Sequence, residues 1–62
     1  MKRIIVIEFK GGVFNEMSTI SNPIDSKTLF NLIDNLVTVY AERYEVPIEK
    51  IEVNIFMKFS KN

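Results

Sequence analysis

Acid–base and nucleophilic chemistry near neutral pH runs most often through histidine and cysteine, and this chain contains neither. The groups left to do chemistry are carboxylates, lysines, hydroxyls and two tyrosines. Glu42 with Glu45, and Glu49 with Glu52, are close-spaced acidic pairs of the kind that can hold a hard divalent cation. Such a cation needs about six to eight oxygen ligands, and nothing nearby in the sequence supplies the remainder. Tyr40 and Tyr44 lie one helical turn apart and could stack a flat ligand, but they read as core-edge tyrosines with wet hydroxyls. Ser18, Ser21, Ser26 and Ser60 have no base in prospect. Gly11-Gly12 lacks the spacing and the following helix of a phosphate loop. The expectation is a protein that is not an enzyme and carries no cofactor and no metal.

Charge placement says more than charge sum. Eight basic and eight acidic side chains cancel, so no global field draws the chain to nucleic acid or to an anionic membrane. Lys2 and Arg3 open the chain while Lys58 and Lys61 close it, and a sheet that places these ends side by side gathers four cations. Glu42, Glu45, Glu49 and Glu52 then gather at the other end, offset by Arg43 and Lys50. A basic end beside an outward Phe56 could grip single-stranded nucleic acid by stacking and phosphate contacts. One outward aromatic is a poor platform, however, and lysines near a terminus also keep an edge strand soluble.

The elements that must position these groups are set by few breakers. Gly11-Gly12 separates two extended stretches, and Pro23 and Pro47 bracket a helical one. A first strand, about Lys2 to Lys10, has Ile5, Ile7 and Phe9 on one face and Ile4 and Val6 on the other. Strands apolar on both sides belong in the middle of a covered sheet. Gly11-Gly12 suits a type I′ turn, where both central residues need positive φ. That turn predicts Phe9 opposite Phe14, Ile7 opposite Glu16, Val6 opposite Met17 and Ile4 opposite Thr19. The second strand, about Val13 to Ile20, is polar enough for an edge.

Asp25 or Ser26 offers an N-cap to a helix running to about Glu45. Its apolar residues, from Leu29 to Tyr44, span an arc of roughly 200°, about twice what one sheet face requires. Val46 before Pro47 should already be extended. The third strand, about Lys50 to Phe59, alternates cleanly, with Ile51, Val53, Ile55, Met57 and Phe59 pointing one way. Short connections then predict one domain over residues 1–62, a two-layer α+β fold with element order β-β-α-β. Its three-stranded antiparallel sheet has order 2-1-3, with one long helix on one face and a right-handed crossover.

This layout leaves apolar surface without a cover. Ile5, Ile7, Phe9, Phe14, Ile51, Val53, Ile55, Met57 and Phe59 fill the layer under the helix, but Ile4, Val6, Val13, Met17 and Phe56 fall on the far face. Leu32 and Val39 on one helix flank, with Phe30, Val37 and Ala41 on the other, add to the surplus. A domain of 62 residues is marginal alone, and without cysteine it has no disulfide or thiolate zinc site. The expectation is a homodimer that binds an unidentified protein partner, with Ile4, Val6, Val13, Met17, Phe56, Leu32 and Val39 as interface residues. Nucleic-acid binding through Lys2, Arg3, Lys58 and Lys61 is the alternative. No apolar run is long enough to span a bilayer or to form a secretory core, so a soluble cytoplasmic protein is expected, with no membrane partner. Abundant Ile, Asn, Lys and Phe with scarce Ala, Gly, Pro and Arg are what AT-rich genomes encode. Small accessory proteins of phages and plasmids are built in this way.

Overall fold

The computed structural model describes residues 2–60. Its elements follow in the order β1 (Lys2–Gly11), β2 (Phe14–Ile20), α1 (Ser26–Tyr44), a 3-10 turn over Ile48–Lys50, and β3 (Glu52–Ser60). The sheet has strand order β2-β1-β3, and both pairings are antiparallel. This is the α+β architecture that the alternation of apolar residues predicts.

The hairpin register departs from the expected one by two residues. Gly11 faces Phe14, Phe9 faces Glu16, Val6 faces Thr19 and Ile5 faces Ile20. Neither glycine has positive φ, so the turn is not type I′, and its two central residues are Gly12 and Val13. The physical reason lies in Phe14, whose ring lies against Gly11. A Cβ on Gly11 would collide with the Phe14 ring, whereas one on Gly12 would meet nothing within 4 Å. Gly11 is therefore a strand residue whose missing side chain makes room for a cross-strand aromatic, a recognised way of supporting glycine in a sheet. A shift of two leaves every side chain on its expected face, since strand faces alternate with period 2.

Helix α1 begins where Asp25 accepts a hydrogen bond from the Thr28 amide at 2.8 Å, which decides between the two predicted caps. It ends at Glu45, which adopts φ 55°, ψ 47°. The amides of Glu45 and Val46 both return to the Ala41 carbonyl. That left-handed position is the one glycine usually fills at helix ends.

The core is small and central. Ile5, Ile7 and Phe9 of β1 pack against Ile33 and Tyr40 of α1, with Phe14, Ile20, Ile24, Leu29, Leu36, Val37, Tyr44 and Val53 around them. Ile7 and Phe9 are 0% exposed. Of the β3 residues expected beneath the helix, only Val53 joins this core. Ile55, Met57 and Phe59 are 47%, 54% and 63% exposed, so the expected inner layer is only partly formed. A single helix cannot cover three strands about 4.8 Å apart, and this one is held on the β1–β2 side. The far face of β1 is uncovered as well, with Ile4 and Val6 half-buried only by their neighbours in the sheet.

Three substitutions test this account. Gly11→Ala should destabilise by about 1–3 kcal/mol, from forcing a methyl group into the Phe14 ring, while Gly12→Ala should stay within about 0.5 kcal/mol. Glu45→Gly should stabilise by about 1 kcal/mol through relief of the left-handed backbone. Thermal or urea unfolding of the three variants against the parent chain reads out each value.

Candidate functional site

The only side chains that converge with defined polar geometry lie at the hairpin end of the helix, among the described residues, and on the helix-free face of the sheet. At the hairpin end, β1, β2 and α1 bring Phe9, Phe14, Tyr40 and Tyr44 together. The Phe14 and Tyr44 rings stack at 4.4 Å with an interplanar angle of 6°, and Phe9 tilts against Tyr40 at 5.2 Å. The guanidinium of Arg43 sits 5.6 Å from the centre of the Tyr40 ring in cation–π contact. Tyr44 donates its hydroxyl hydrogen to the Glu16 carboxylate.

The tyrosines therefore differ from the wet-edged pair expected. Tyr40 is buried and Tyr44 has a carboxylate partner. That hydrogen bond, followed by partial burial and the Glu16 charge, raises the Tyr44 pKa above its ordinary value, with Arg43 opposing. This cluster clamps the last turns of the helix onto the hairpin, and its aromatic faces are spent on one another.

The helix-free face is divided into two bands. Toward the turn end, the Glu8 carboxylate accepts from the Asn15 and Asn54 side-chain amides, each at 3.1 Å, and Asn54 also donates to Glu52 at 2.8 Å. Toward the other end Val6 lies opposite Phe56 and Thr19, and Ile4 lies opposite Lys58. Met17, opposite Glu8 and diagonal to Val6, borders this second band. Ile4, Val6, Met17 and Phe56 thus form one apolar patch, in which Met17 and Phe56 are exposed.

Other predicted site residues are placed differently. Val13 is exposed but lies in the turn, outside that patch, because the register shift moves it out of β2. On the helix, Val39 is exposed and Leu32 half-buried. Phe30 is exposed too, whereas Val37 packs on the core. The expected basic end is split. Arg3 pairs with Phe59 on the helix side, while Lys58 pairs with Ile4 on the opposite side. Lys2 pairs through its backbone with Ser60, and Lys61 lies outside the described residues. Arg3 and Lys58 therefore lie at the same end of the sheet but on opposite faces.

Sequence reasoning missed the exposed row Ile55, Met57 and Phe59 on the helix side of β3. Alternation assigns these residues a face, but only the position of the helix decides whether that face is covered. Among the described residues there is no enclosed cavity, no group of three or more potential metal ligands, and no helix long and apolar enough to cross a membrane. Compared with models of protein families, with curated proteins and with solved structures, the chain matches none.

The Tyr44–Glu16 bond has a pH signature. Because the folded-state pKa of Tyr44 is raised, its contribution is fully present below the ordinary tyrosine value of 10.0 and is lost as pH rises through the elevated folded value. The stability difference between the parent chain and Tyr44→Phe should therefore be constant from pH 7 to 9 and shrink at more alkaline pH. Urea titrations across that range measure it, and a difference that grows with pH would contradict the assignment.

Proposed function

We infer that the protein is a small non-enzymatic interaction module, which works as a homodimer and docks another protein on the helix-free face of its sheet. The observation that carries this reading is the apolar patch of Ile4, Val6, Met17 and Phe56, framed by the Glu8–Asn15–Asn54–Glu52 hydrogen-bond network at one end. An apolar centre beside a satisfied polar rim is the usual anatomy of a protein-binding surface.

The economy of the fold supports association. A chain of 7.2 kDa exposes 4651 Å², where a compact monomer of that mass exposes about 4,100 Å². Its radius of gyration is 12.6 Å, against about 10.6 Å for a compact chain of this length. The surplus comes from a sheet that one helix half covers. For a domain whose total stability is about 3–9 kcal/mol, burying even two of the exposed apolar side chains, at about 1.5–3 kcal/mol each, is a large gain.

Tagged protein should recover a discrete partner from a lysate of its source cells. Met17→Ala combined with Phe56→Ala should abolish that recovery while leaving the melting temperature within a few degrees of the parent. Retention on heparin or single-stranded DNA that falls steeply with salt, and is lost on substituting Arg3 and Lys58, would favour the nucleic-acid reading instead.

A further inference from the structure

The second uncovered surface is an edge as well as a face. Among the described residues strand β3 has one neighbour, β1, and its other edge is unpaired. From Glu52 to Ser60 it contains no proline or glycine. Its register with β1 runs unbroken from Lys10–Glu52 to Lys2–Ser60, so no bulge interrupts it. Unprotected edges of this length are normally blunted by charge, proline or a covering element. The opposite edge, β2, is shielded by Asn15, Glu16, Ser18 and Thr19, whereas the centre of β3 reads Ile55-Phe56-Met57 with apolar side chains exposed on both faces.

We propose that a second copy of this chain occupies the edge, β3 pairing antiparallel with β3 about a two-fold axis through Ile55. The proposal rests on the reading of the protein as a homodimeric module and specifies the surface the subunits share. In this register Ile55 opposes Ile55 of the second copy, Val53 opposes Met57, and Glu52 opposes Lys58. Ile55, Val53 and Met57 all lie on the helix side, since they pair with Ile7, Phe9 and Ile5 of β1. The exposed row is thereby matched to its own symmetry mate. Glu52 and Lys58 lie on the other face, opposite Lys10 and Ile4, and the two-fold repeats their pairing at both ends of the joint.

Charge selects this register over its neighbour. An axis through Phe56 would set Asn54 against Lys58 and Glu52 against Ser60, leaving Glu52 and Lys58 only diagonal to each other. Directly opposed opposite charges are the more favourable cross-strand arrangement. The result is a continuous six-stranded sheet with both helices on one face and both Ile4–Val6–Met17–Phe56 patches on the other, so the dimer leaves the proposed docking face of each subunit open.

The chain lacks cysteine, which makes single-cysteine cross-linking clean. Under mild oxidation Ile55→Cys should form a covalent dimer efficiently and Phe56→Cys poorly. In sedimentation equilibrium the parent should be dimeric at micromolar concentration. Glu52→Lys and Lys58→Glu should each weaken the dimer on the order of tenfold, and the double variant should bind more tightly than either single variant. Recovery is diagnostic because Glu52→Lys also faces Lys10 within its own sheet, an effect that Lys58→Glu cannot relieve. A monomer at hundreds of micromolar, additive charge reversals, or cross-linking through Phe56→Cys in place of Ile55→Cys would each overturn the proposal. A dimer that persists in Met17→Ala, alongside failure to recover a partner with the parent chain, would sink the docking-face reading and leave the edge pairing standing.

Discussion

The structure depends on one constraint: a single helix of 19 residues must provide the whole cover for a three-stranded sheet. The helix is held by contacts that are strong and local. Ile33 and Tyr40 seal Ile5, Ile7 and Phe9, while Phe14 is sandwiched between the bare backbone of Gly11 and the ring of Tyr44. The Tyr44 hydroxyl then ties the same turn of helix to Glu16 on β2. Every sheet residue among these anchors belongs to the β1–β2 hairpin. The helix therefore lies with the hairpin, and the third strand keeps its helix-side apolar row in solvent.

That asymmetry gives the molecule two surfaces of different kind. The helix-free face combines an apolar patch with a polar network whose amide donors converge on Glu8, which suits the docking through side chains proposed for it. The β3 edge offers main-chain donors and acceptors along a strand, flanked by apolar side chains, which suits the strand addition proposed for it. Side-chain recognition can select a distinct partner, because shape and polarity vary along the patch. Strand addition suits a copy of the same chain, because an antiparallel two-fold sets each residue against a fixed mate. The two proposed roles do not compete for space.

The fold was largely legible from residue pattern. Two glycines and two prolines marked the boundaries, the period-2 alternation of β3 and the dense apolar character of β1 implied the strand order, and the wide apolar arc implied the helix. The type of turn was misread because Gly11-Gly12 invites a positive-φ reading, while the glycine that matters is there to make room for Phe14. Alternation survived that error, since the register moved by an even number. The candidate surfaces were legible in part. Ile4, Val6, Met17 and Phe56 could be assigned to the open face from parity alone, whereas Val13 was lost to the turn and the basic end divided between faces once the pairing of Arg3 and Lys58 was known.

What the sequence by itself determined was which side of each strand is apolar, the order and approximate extent of the elements, and that apolar surface exceeds what one helix can cover. Those properties follow from local periodicity and backbone preference, which act over a few residues at a time. What only the tertiary structure decided was where the deficit falls. The lateral position of the helix depends on ring stacking and one hydroxyl–carboxylate bond between residues as far apart as Glu16 and Tyr44, and no local pattern encodes a contact at that separation. Ile55, Met57 and Phe59 are therefore core residues by pattern and surface residues by placement.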